Sequence, residues 1–299
     1  MTLFDVNYLF TLNVGNQLGE GVIWDDKLQR ILWTDIEASK LYLYQLETET
    51  TEVIQLPQRL GSFGLTEQEN LLICAFETGF ALFDLVQHKI EWLAQIEADN
   101  PGTRMNDGRV DRQGVFWAGT MVEEEATATA RSALYSIDAN RKVTKHLSNL
   151  QISNGLCWSP DGKTMYFADS PTHKIVSFDN TQTIDEQSIA RNLVSTAVEH
   201  FPDGSTTDKH GNIWNALWGS NKVVCYSPDG EVIVQLTLPV SQPSCVSIGG
   251  PDLNWLIITS ASQLTEQQKE QEPQAGHLFV YQLNHSIGLP EPRFKLTTA

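Results

Sequence analysis

The amino-acid sequence predicts an all-β protein, a six-bladed β-propeller with four-stranded antiparallel blades. Short apolar runs alternate with turns rich in Gly, Asp, Asn and Pro, a pattern typical of β-strands, and a convincing amphipathic helix is almost absent. A two-strand unit with a polar turn occurs six times. Its turns lie near residues 26, 69, 114, 162, 211 and 252, so successive copies are 41 to 49 residues apart. A period of this length, with several short strands per unit, is typical of propeller blades.

Each copy of the repeat contains a few apolar residues, a polar turn and a run rich in aromatic and β-branched residues. The six copies cover residues 22–35, 64–77, 110–119, 156–169, 207–217 and 246–259. A third strand follows in most copies, at residues 40–45, 132–137, 174–178 and 277–282. A fourth, outer strand is expected to close each blade. The sequence therefore predicts one domain over residues 1–299, without an internal boundary.

A closed ring also needs its first and last blades to share strands, since otherwise one long edge stays open. The spare strand at residues 8–14 is expected to complete the last blade, and residues 293–296 are the alternative. The stretch 263–274, rich in Gln and Glu, is predicted to be an exposed loop of the sixth blade. A pair of β-sandwiches is the competing architecture, but sandwiches have no reason to repeat at a fixed period.

Composition and charge exclude several function classes. The chain has 37 acidic and 20 basic residues and a formal charge of −17, so nucleic acid and anionic membranes are poor partners. It has no apolar run of about 20 residues and no basic leader, and we expect a cytoplasmic protein. The 4 Cys and 7 His form no metal-binding or disulfide pattern, so any metal is expected on oxygen ligands. Protein partners cannot be predicted.

The first strand of each propeller blade lines the central channel, so the residues that begin these strands point to the axis at one end. In the six copies these residues are Glu20, Phe63, Asn106 with Asp107, Asn154, Asp203 and Cys245. Four of the six positions carry carboxylate or carboxamide groups. Because converging carboxylates repel one another unless a cation neutralises them, this pattern indicates one divalent ion, Ca²⁺, Mg²⁺, Mn²⁺ or Zn²⁺.

Each of these residues also has an ordinary structural explanation. An Asn or Asp before Gly is by itself most often a turn residue that tolerates positive φ. Turn chemistry does not explain why several polar side chains share one position of the repeat, and this agreement favours a site. The chain reversal should bring Glu123 and Glu124 to the same mouth. Asp35 and Asp169 could also face it, whereas Phe63 is expected to wall the channel.

Several motifs, taken in order, resemble the gluconolactonase or regucalcin (senescence marker protein) family of six-bladed propellers. They are LGEGVIW at 18–24, RMNDGRVD at 104–111, WAGTM at 117–121, ISNGL at 152–156 and FPDG at 201–204. The resemblance covers essentially the whole chain. It implies a single divalent ion bound by Glu20, Asn154 and Asp203. It also implies that a sugar lactone contacts Arg104, Asn106 and Glu124.

The implied activity is metal-dependent hydrolysis of an aldonolactone, such as gluconolactone, to the sugar acid. The ion would polarise the lactone carbonyl for attack by water, with Asp203 as candidate general base or with water on the ion as nucleophile. No G-x-S-x-G elbow is present, which argues against a covalent acyl-enzyme. The alternatives are a non-catalytic calcium- or ligand-binding regucalcin-like protein and a promiscuous esterase on the same site. Arg104 and Glu124 favour catalysis, because ion binding alone needs neither.

Overall fold

The computed structural model describes residues 5–297 and confirms the predicted architecture. Its strands form six four-stranded antiparallel sheets arranged as the blades of a ring. The predicted domain boundaries at residues 1 and 299 lie outside the described residues. In the described part of the chain, no helix has the length and hydrophobicity needed to span a membrane.

The blades follow one another along the chain, and each blade runs from an inner to an outer strand. Blade 1 has β2 (Gly19–Asp25), β3 (Arg30–Asp35), β4 (Lys40–Gln45) and β5 (Thr50–Gln55), and blade 2 has β6 (Leu60–Leu65), β7 (Leu71–Phe76), β8 (Gly79–Asp84) and β9 (Lys89–Gln95). Blade 3 has β10 (Thr103–Val110), β11 (Phe116–Val122), β12 (Ser132–Ile137) and β13 (Val143–Leu150). Blade 4 has β14 (Ser153–Trp158), β15 (Thr164–Asp169), β16 (Lys174–Asp179) and β17 (Arg191–Ser195). Blade 5 has β18 (Phe201–Thr207), β19 (Ile213–Trp218), β20 (Lys222–Tyr226) and β21 (Val232–Thr237).

Blade 6 closes the ring with strands from both ends of the described chain. It contains β22 (Pro243–Gly249), β23 (Trp255–Ser260) and β24 (Leu278–Leu283), and its outer strand is β1 (Val6–Leu12). The prediction that residues 8–14 complete the last blade is thus confirmed in its essentials. The alternative strand at residues 293–296 is wrong, because Phe294 forms only an isolated parallel bridge to Thr66 beside blade 2.

A repeated turn explains part of the sequence periodicity. Asp111 accepts the backbone N–H groups of Gln113 and Val115 with one carboxylate oxygen and the indole N–H of Trp117 with the other. Asp208 does the same in blade 5 for the backbone of residues 210 and 212 and for the indole of Trp214. The glycine in each turn has φ of 85° or 86°, a conformation that side chains disfavour. One Asp therefore fixes both the hairpin and the aromatic residue that packs behind it.

Hydrophobic side chains pack in the wedges between neighbouring blades. Phe63 is 1% exposed and belongs to a cluster with Ile23 and Leu32 of blade 1. It therefore packs between blades 1 and 2, and the expectation that it walls the channel is wrong. Strand pleating sends alternate side chains to opposite faces, and Phe63 lies on the face that meets blade 1.

The polar stretch 263–274 is exposed as predicted, but it is not all loop. It contains the short helix α1 (Glu266–Gln271), none of whose residues is buried. Thr265 caps this helix, accepting the backbone N–H of Gln268, while the Gln268 side chain accepts the backbone N–H of Thr265. This reciprocal capping box stabilises about one and a half helical turns. The helix has no apolar face, so the sequence shows no amphipathic pattern from which it could be predicted.

Candidate active site

A cavity of about 400 Å³ opens at one end of the channel, where the innermost strands of blades 1, 3, 4 and 5 begin. Its polar lining contains Glu20, Arg104, Asn106, Asn154, Ser170 and Asp203. Its more apolar walls include Leu18, Met121, Ile152, Phe201 and Trp218. Glu37, Glu123 and Gln263 also face it. The structure thus brings together five of the six residues expected at the site.

Irregular pairing of the inner strands aims the polar side chains into this cavity. The register between the first and second strands shifts after Glu20, Asn154 and Pro202, and also between Met105 and Gly108. Such bulges re-aim a side chain at the rim of a sheet. Gly21 and Gly155 follow two of the site residues with φ of 59° and 67°. These glycines are needed for the bulge, which explains the Glu-Gly and Asn-Gly pairs.

Asn106 and Asn154 form the centre of a hydrogen-bonded chain across the cavity. Asn106 Nδ2 donates to Asn154 Oδ1 at 3.0 Å and to the Ser153 carbonyl at 3.0 Å. Asn154 Nδ2 donates to Ser170 Oγ at 2.8 Å, and that hydroxyl donates to the Pro202 carbonyl. Both amides are oriented by these partners, so Asn154 turns its carbonyl oxygen toward Asn106 and the channel axis.

Glu20 and Asp203 are buried carboxyl groups whose charges are poorly compensated. Burial, followed by repulsion from Asp107, raises the pKa of Glu20 from its ordinary 4.5 to about 8, although the Gly21 N–H donates to it. Burial, followed by repulsion from Glu20 and Asp107, raises the pKa of Asp203 well above its usual range. The Asp203 backbone is held by Asn215, whose amide donates to its carbonyl at 2.7 Å. A cation between these groups would relieve the repulsion.

The donor set fits one hard divalent ion. It supplies two carboxylates and the Asn154 carboxamide oxygen, which are ligands suited to Ca²⁺, Mg²⁺ or Mn²⁺ and acceptable to Zn²⁺. Within residues 5–297 no group of three or more His, Cys, Asp or Glu side chains is arranged around one metal position. An ion here would therefore depend on the amide oxygen as its third protein ligand and on further oxygens from solvent or substrate.

Arg104 is the cationic residue of the cavity and is only 3% exposed. Its Nη1 donates to Asn106 Oδ1 at 2.8 Å and to the Met105 carbonyl, and its Nε donates to Glu123 Oε1 at 3.2 Å. Burial lowers the pKa of Arg104, and Glu123 opposes that effect. The guanidinium is thus fixed in place at one side of the cavity.

Glu124, the sixth expected residue, does not line the cavity. Its backbone N–H donates to the Gly102 carbonyl and its own carbonyl accepts the Ala128 N–H, so it begins an exposed turn. Glu123 takes the position beside Arg104. The structure therefore places Glu123 in the cavity lining, and not the expected Glu124.

The two aspartates that end second strands serve the backbone and do not belong to the cavity. Asp35 accepts the backbone N–H groups of Gln17 and Leu18, just before β2. Asp169 accepts those of Gln151 and Ile152, just before β14. Each carboxylate anchors the segment that leads into a site-bearing strand.

Among the residues that face the cavity and that sequence reasoning missed are Glu37, Ser170 and Trp218. Glu37 lies in the turn after β3 and Trp218 ends β19, at the same end of the propeller as the mouth. The signal that could have found them is the blade repeat itself, because the ends of second strands return to the end where first strands begin.

Asp107, the residue after Asn106, does not line the cavity. Its carboxylate accepts the backbone N–H of Leu156 at 3.1 Å.

Comparison with known proteins agrees with this geometry. Residues 18–262 match the family described as SMP-30/gluconolactonase/LRE-like region. The chain belongs to this family. The L-arabinolactonase of Azospirillum brasilense is 33% identical over 93% of this chain and 92% of its own length. The 6-deoxy-6-sulfogluconolactonase of Pseudomonas putida is 32% identical over 93% of this chain and 94% of its own.

A solved structure shows the same fold. The crystal structure of a calcium-binding protein, regucalcin, from Agrobacterium tumefaciens superposes with a TM-score of 0.87 at 30% identity, covering 98% of both chains. The family and the six-bladed fold predicted from the sequence are thus confirmed. The names of the two lactonases agree with the predicted class of reaction.

Proposed function

We propose that this protein is a metal-dependent lactonase that hydrolyses small sugar lactones to the corresponding sugar acids. The observation that carries the proposal is the convergence of two buried, uncompensated carboxylates, a carboxamide oxygen and a buried arginine on one cavity of about 400 Å³. A cavity of this size suits one monosaccharide lactone. The relatives named as lactonases support the same reaction class.

Glu20, Asn154 and Asp203 would hold the ion. When bound, a divalent ion supplies a Lewis acid that polarises a carbonyl oxygen. The Asn106 amide fixes the orientation of Asn154 through its 3.0 Å hydrogen bond, so it positions a ligand as well as facing the substrate. Whether the ion is Ca²⁺, Mg²⁺, Mn²⁺ or Zn²⁺ is for the experiment to decide, because all four accept oxygen ligands.

Asp203 is the candidate general base. Its carboxylate lines the cavity beside Glu20, so it could accept a proton from the water that attacks the lactone, and water on the ion is the alternative nucleophile. Arg104, fixed at the side of the cavity, would stabilise the negative charge that develops on the opening lactone. Glu123 keeps Arg104 in position by accepting the hydrogen bond from its Nε.

The test is hydrolysis of glucono-, galactono-, arabinono- and xylonolactone, followed with a pH indicator. Protein stripped of metal is compared with protein refilled with each of the four ions. Asp203→Asn keeps the shape of the side chain and removes its charge, while Glu52→Gln is a matched control on the exposed outer strand of blade 1. We expect metal-dependent turnover that Asp203→Asn lowers by about 10²-fold or more and Glu52→Gln leaves unchanged.

A non-catalytic calcium-binding protein is the second candidate, because the regucalcin relative is described as a calcium-binding protein. Tight ion binding without turnover of any lactone would favour it. A promiscuous esterase would instead hydrolyse a simple aryl ester as well as the lactones, with little dependence on Asn106 or Glu123. The buried Arg104 beside the carboxylates favours the lactonase over both, since ion binding alone does not need it.

A further inference from the structure

The basic side chain that lines the cavity, Arg104, is already paired with a carboxylate, Glu123. Among the described residues that line it, Arg104 is the only basic side chain. Its Nε is bonded to Glu123, and its Nη1 is used by Asn106 and by a backbone carbonyl. Only Nη2 has no hydrogen bond shorter than 3.5 Å within the described residues, and the Glu37 carboxylate lies 3.9 Å from it, so an anionic group that approached Arg104 would meet Glu37.

A second arginine stands behind this pair and is equally committed. Arg59 donates to both oxygens of Glu123 at 2.6 and 2.7 Å and to both oxygens of Glu77 at 3.1 and 2.9 Å. These charge-assisted bidentate pairs are strong and geometrically specific. They hold Glu123 between two guanidinium groups and use four of the Arg59 donors, and Glu37 lies 3.6 Å from the Nη1 atom that carries the remaining one.

Glu37 differs from the other carboxylates of this group, because its oxygens remain available. It lies 3.6 Å from Arg59 Nη1 and 3.9 Å from Arg104 Nη2, both beyond hydrogen-bond distance. Its side chain is 29% exposed and faces the cavity. Glu37 is therefore oriented by two nearby positive charges but keeps its acceptor positions for a ligand.

The balance of charge around this side of the cavity is negative. Glu37, Glu77 and Glu123 together outnumber the two arginines by one charge. A divalent ion would cancel Glu20 and Asp203 but would leave this excess. Charges in such a concave, partly dry site are weakly screened and act over several ångströms. An anionic group on a substrate is therefore repelled there.

From this arrangement we infer that Glu37 determines substrate charge specificity: the cavity takes neutral, hydroxyl-rich lactones and rejects lactones with an anionic substituent. The inference rests on the proposed lactonase function. Glu37 accepts a hydroxyl of a neutral sugar, and the same carboxylate repels a carboxylate, phosphate or sulfonate. The family does not fix this choice, since one relative is named for a sulfonated lactone. It depends on residues of this chain outside the proposed ion ligands.

The experiment compares two lactones of the same shape and different charge: glucaro-1,4-lactone, with its terminal carboxylate, and its terminal carboxamide. The enzyme is loaded with the ion that gives the fastest turnover of gluconolactone. We expect wild-type kcat/KM to favour the carboxamide by about tenfold or more at low salt, and this preference to shrink at about 0.5 M salt. The difference should lie mainly in KM.

Glu37→Gln keeps a hydrogen-bond acceptor and removes the charge. It should reduce the preference by about fivefold or more, and the readout is the ratio of kcat/KM for the two lactones, because both lose the hydroxyl contact with the Glu37 carboxylate. Glu52→Gln removes the same charge from the exposed outer strand and should leave the preference unchanged. Gluconolactone turnover by each variant reports that the fold and the ion site are intact.

The outcomes separate this inference from the function on which it rests. If no neutral lactone is hydrolysed with any ion, the proposed function is wrong and the inference is wrong with it. If neutral lactones are hydrolysed but wild type uses the carboxylate equally well, the inference alone is overturned. The same conclusion follows if Glu37→Gln retains the full wild-type preference.

Discussion

Removing the charge of Glu20 should make the metal-free protein less sensitive to pH. The pKa of this buried carboxyl is raised from 4.5 to about 8, so the folded protein holds a proton that the unfolded chain releases. The resulting contribution to stability is fully present below pH 4.5 and is lost as the pH rises toward 8. The sign is opposite to that of an ordinary ion-paired carboxylate, because here the neutral form is the favoured one in the fold.

The size of this effect follows from the shift. At about 1.4 kcal/mol per pKa unit, the free energy of unfolding of metal-free wild type should fall by about 3 kcal/mol more than that of Glu20→Gln between pH 5 and 8. For a chain of this length, this amounts to roughly 5 °C in melting temperature. A bound divalent ion reverses the preference, since the carboxylate must then be ionised, and ion binding releases protons.

The assay is urea unfolding of chelator-treated protein at several pH values, for wild type, Glu20→Gln and the exposed control Glu52→Gln. Wild type and the control should lose stability in parallel, and Glu20→Gln should lose less. Saturating ion should stabilise wild type most at pH 8 and should not stabilise Glu20→Gln to the same extent. Identical pH profiles for wild type and Glu20→Gln would show that the Glu20 pKa is not raised by burial.

Three further predictions concern other parts of the molecule. Glu291→Ala leaves the buried Arg109 without the carboxylate that it binds through two hydrogen bonds of 2.7 and 2.8 Å. Urea unfolding should show that the free energy of unfolding falls by about 3–5 kcal/mol. Replacing both residues by Met should lower it much less. Glu123→Gln should lower lactone kcat/KM by about tenfold or more, and Glu124→Gln should lower it by less than about threefold. If steady-state kinetics showed a larger loss for Glu124→Gln, the placement of Glu123 in the cavity would be contradicted. Asp208→Ala removes the acceptor of two backbone N–H groups and of the Trp214 indole N–H. The free energy of unfolding should fall by at least about 2 kcal/mol in the same urea assay. A negligible change would argue against the role of Asp208 in the hairpin turn.

The fold could be predicted from the sequence because each blade carries its own local signal. Asp111 and Asp208 mark equivalent turns, each followed three residues later by Gly and six by Trp. The structure gives the physical reason, since one carboxylate bonds both the turn backbone and the indole N–H. These two turns lie two blades apart, and the hairpin turns of all six copies recur at the blade period, so their phase also predicted that Glu20, Asn154 and Asp203 would meet at one end of the channel.

The rest of the site depends on distances that no local pattern encodes. Arg59 and Glu123 are separated by 64 residues along the chain, and their 2.6 Å contact exists only because blades 2 and 3 are neighbours. The choice between Glu123 and Glu124 depends on where β11 ends and the chain turns away, and the end of a strand is poorly defined by sequence. Glu37 follows a strand that the repeat predicted, so its place at this end of the propeller could be inferred, but a turn glutamate is most often solvated and the sequence does not show that it faces the cavity.

The charges along the channel explain why the carboxyl groups at this end have raised pKa values. Two residues beyond Asp107 on the same strand, Arg109 is buried and could neutralise the carboxylates, but Glu291 of the C-terminal segment already pairs with it through both oxygens. Arg109 therefore lowers the pKa of Asp107 too little to overcome burial, and that pKa stays raised.

Arg104 is committed in the same way on the other side, because Glu123 holds its Nε. Arg104 therefore only partly offsets the burial and the repulsion that raise the pKa values of Glu20 and Asp203. Because burial and mutual repulsion both favour the neutral forms, binding of a divalent cation at these groups would release protons and should become tighter as the pH rises.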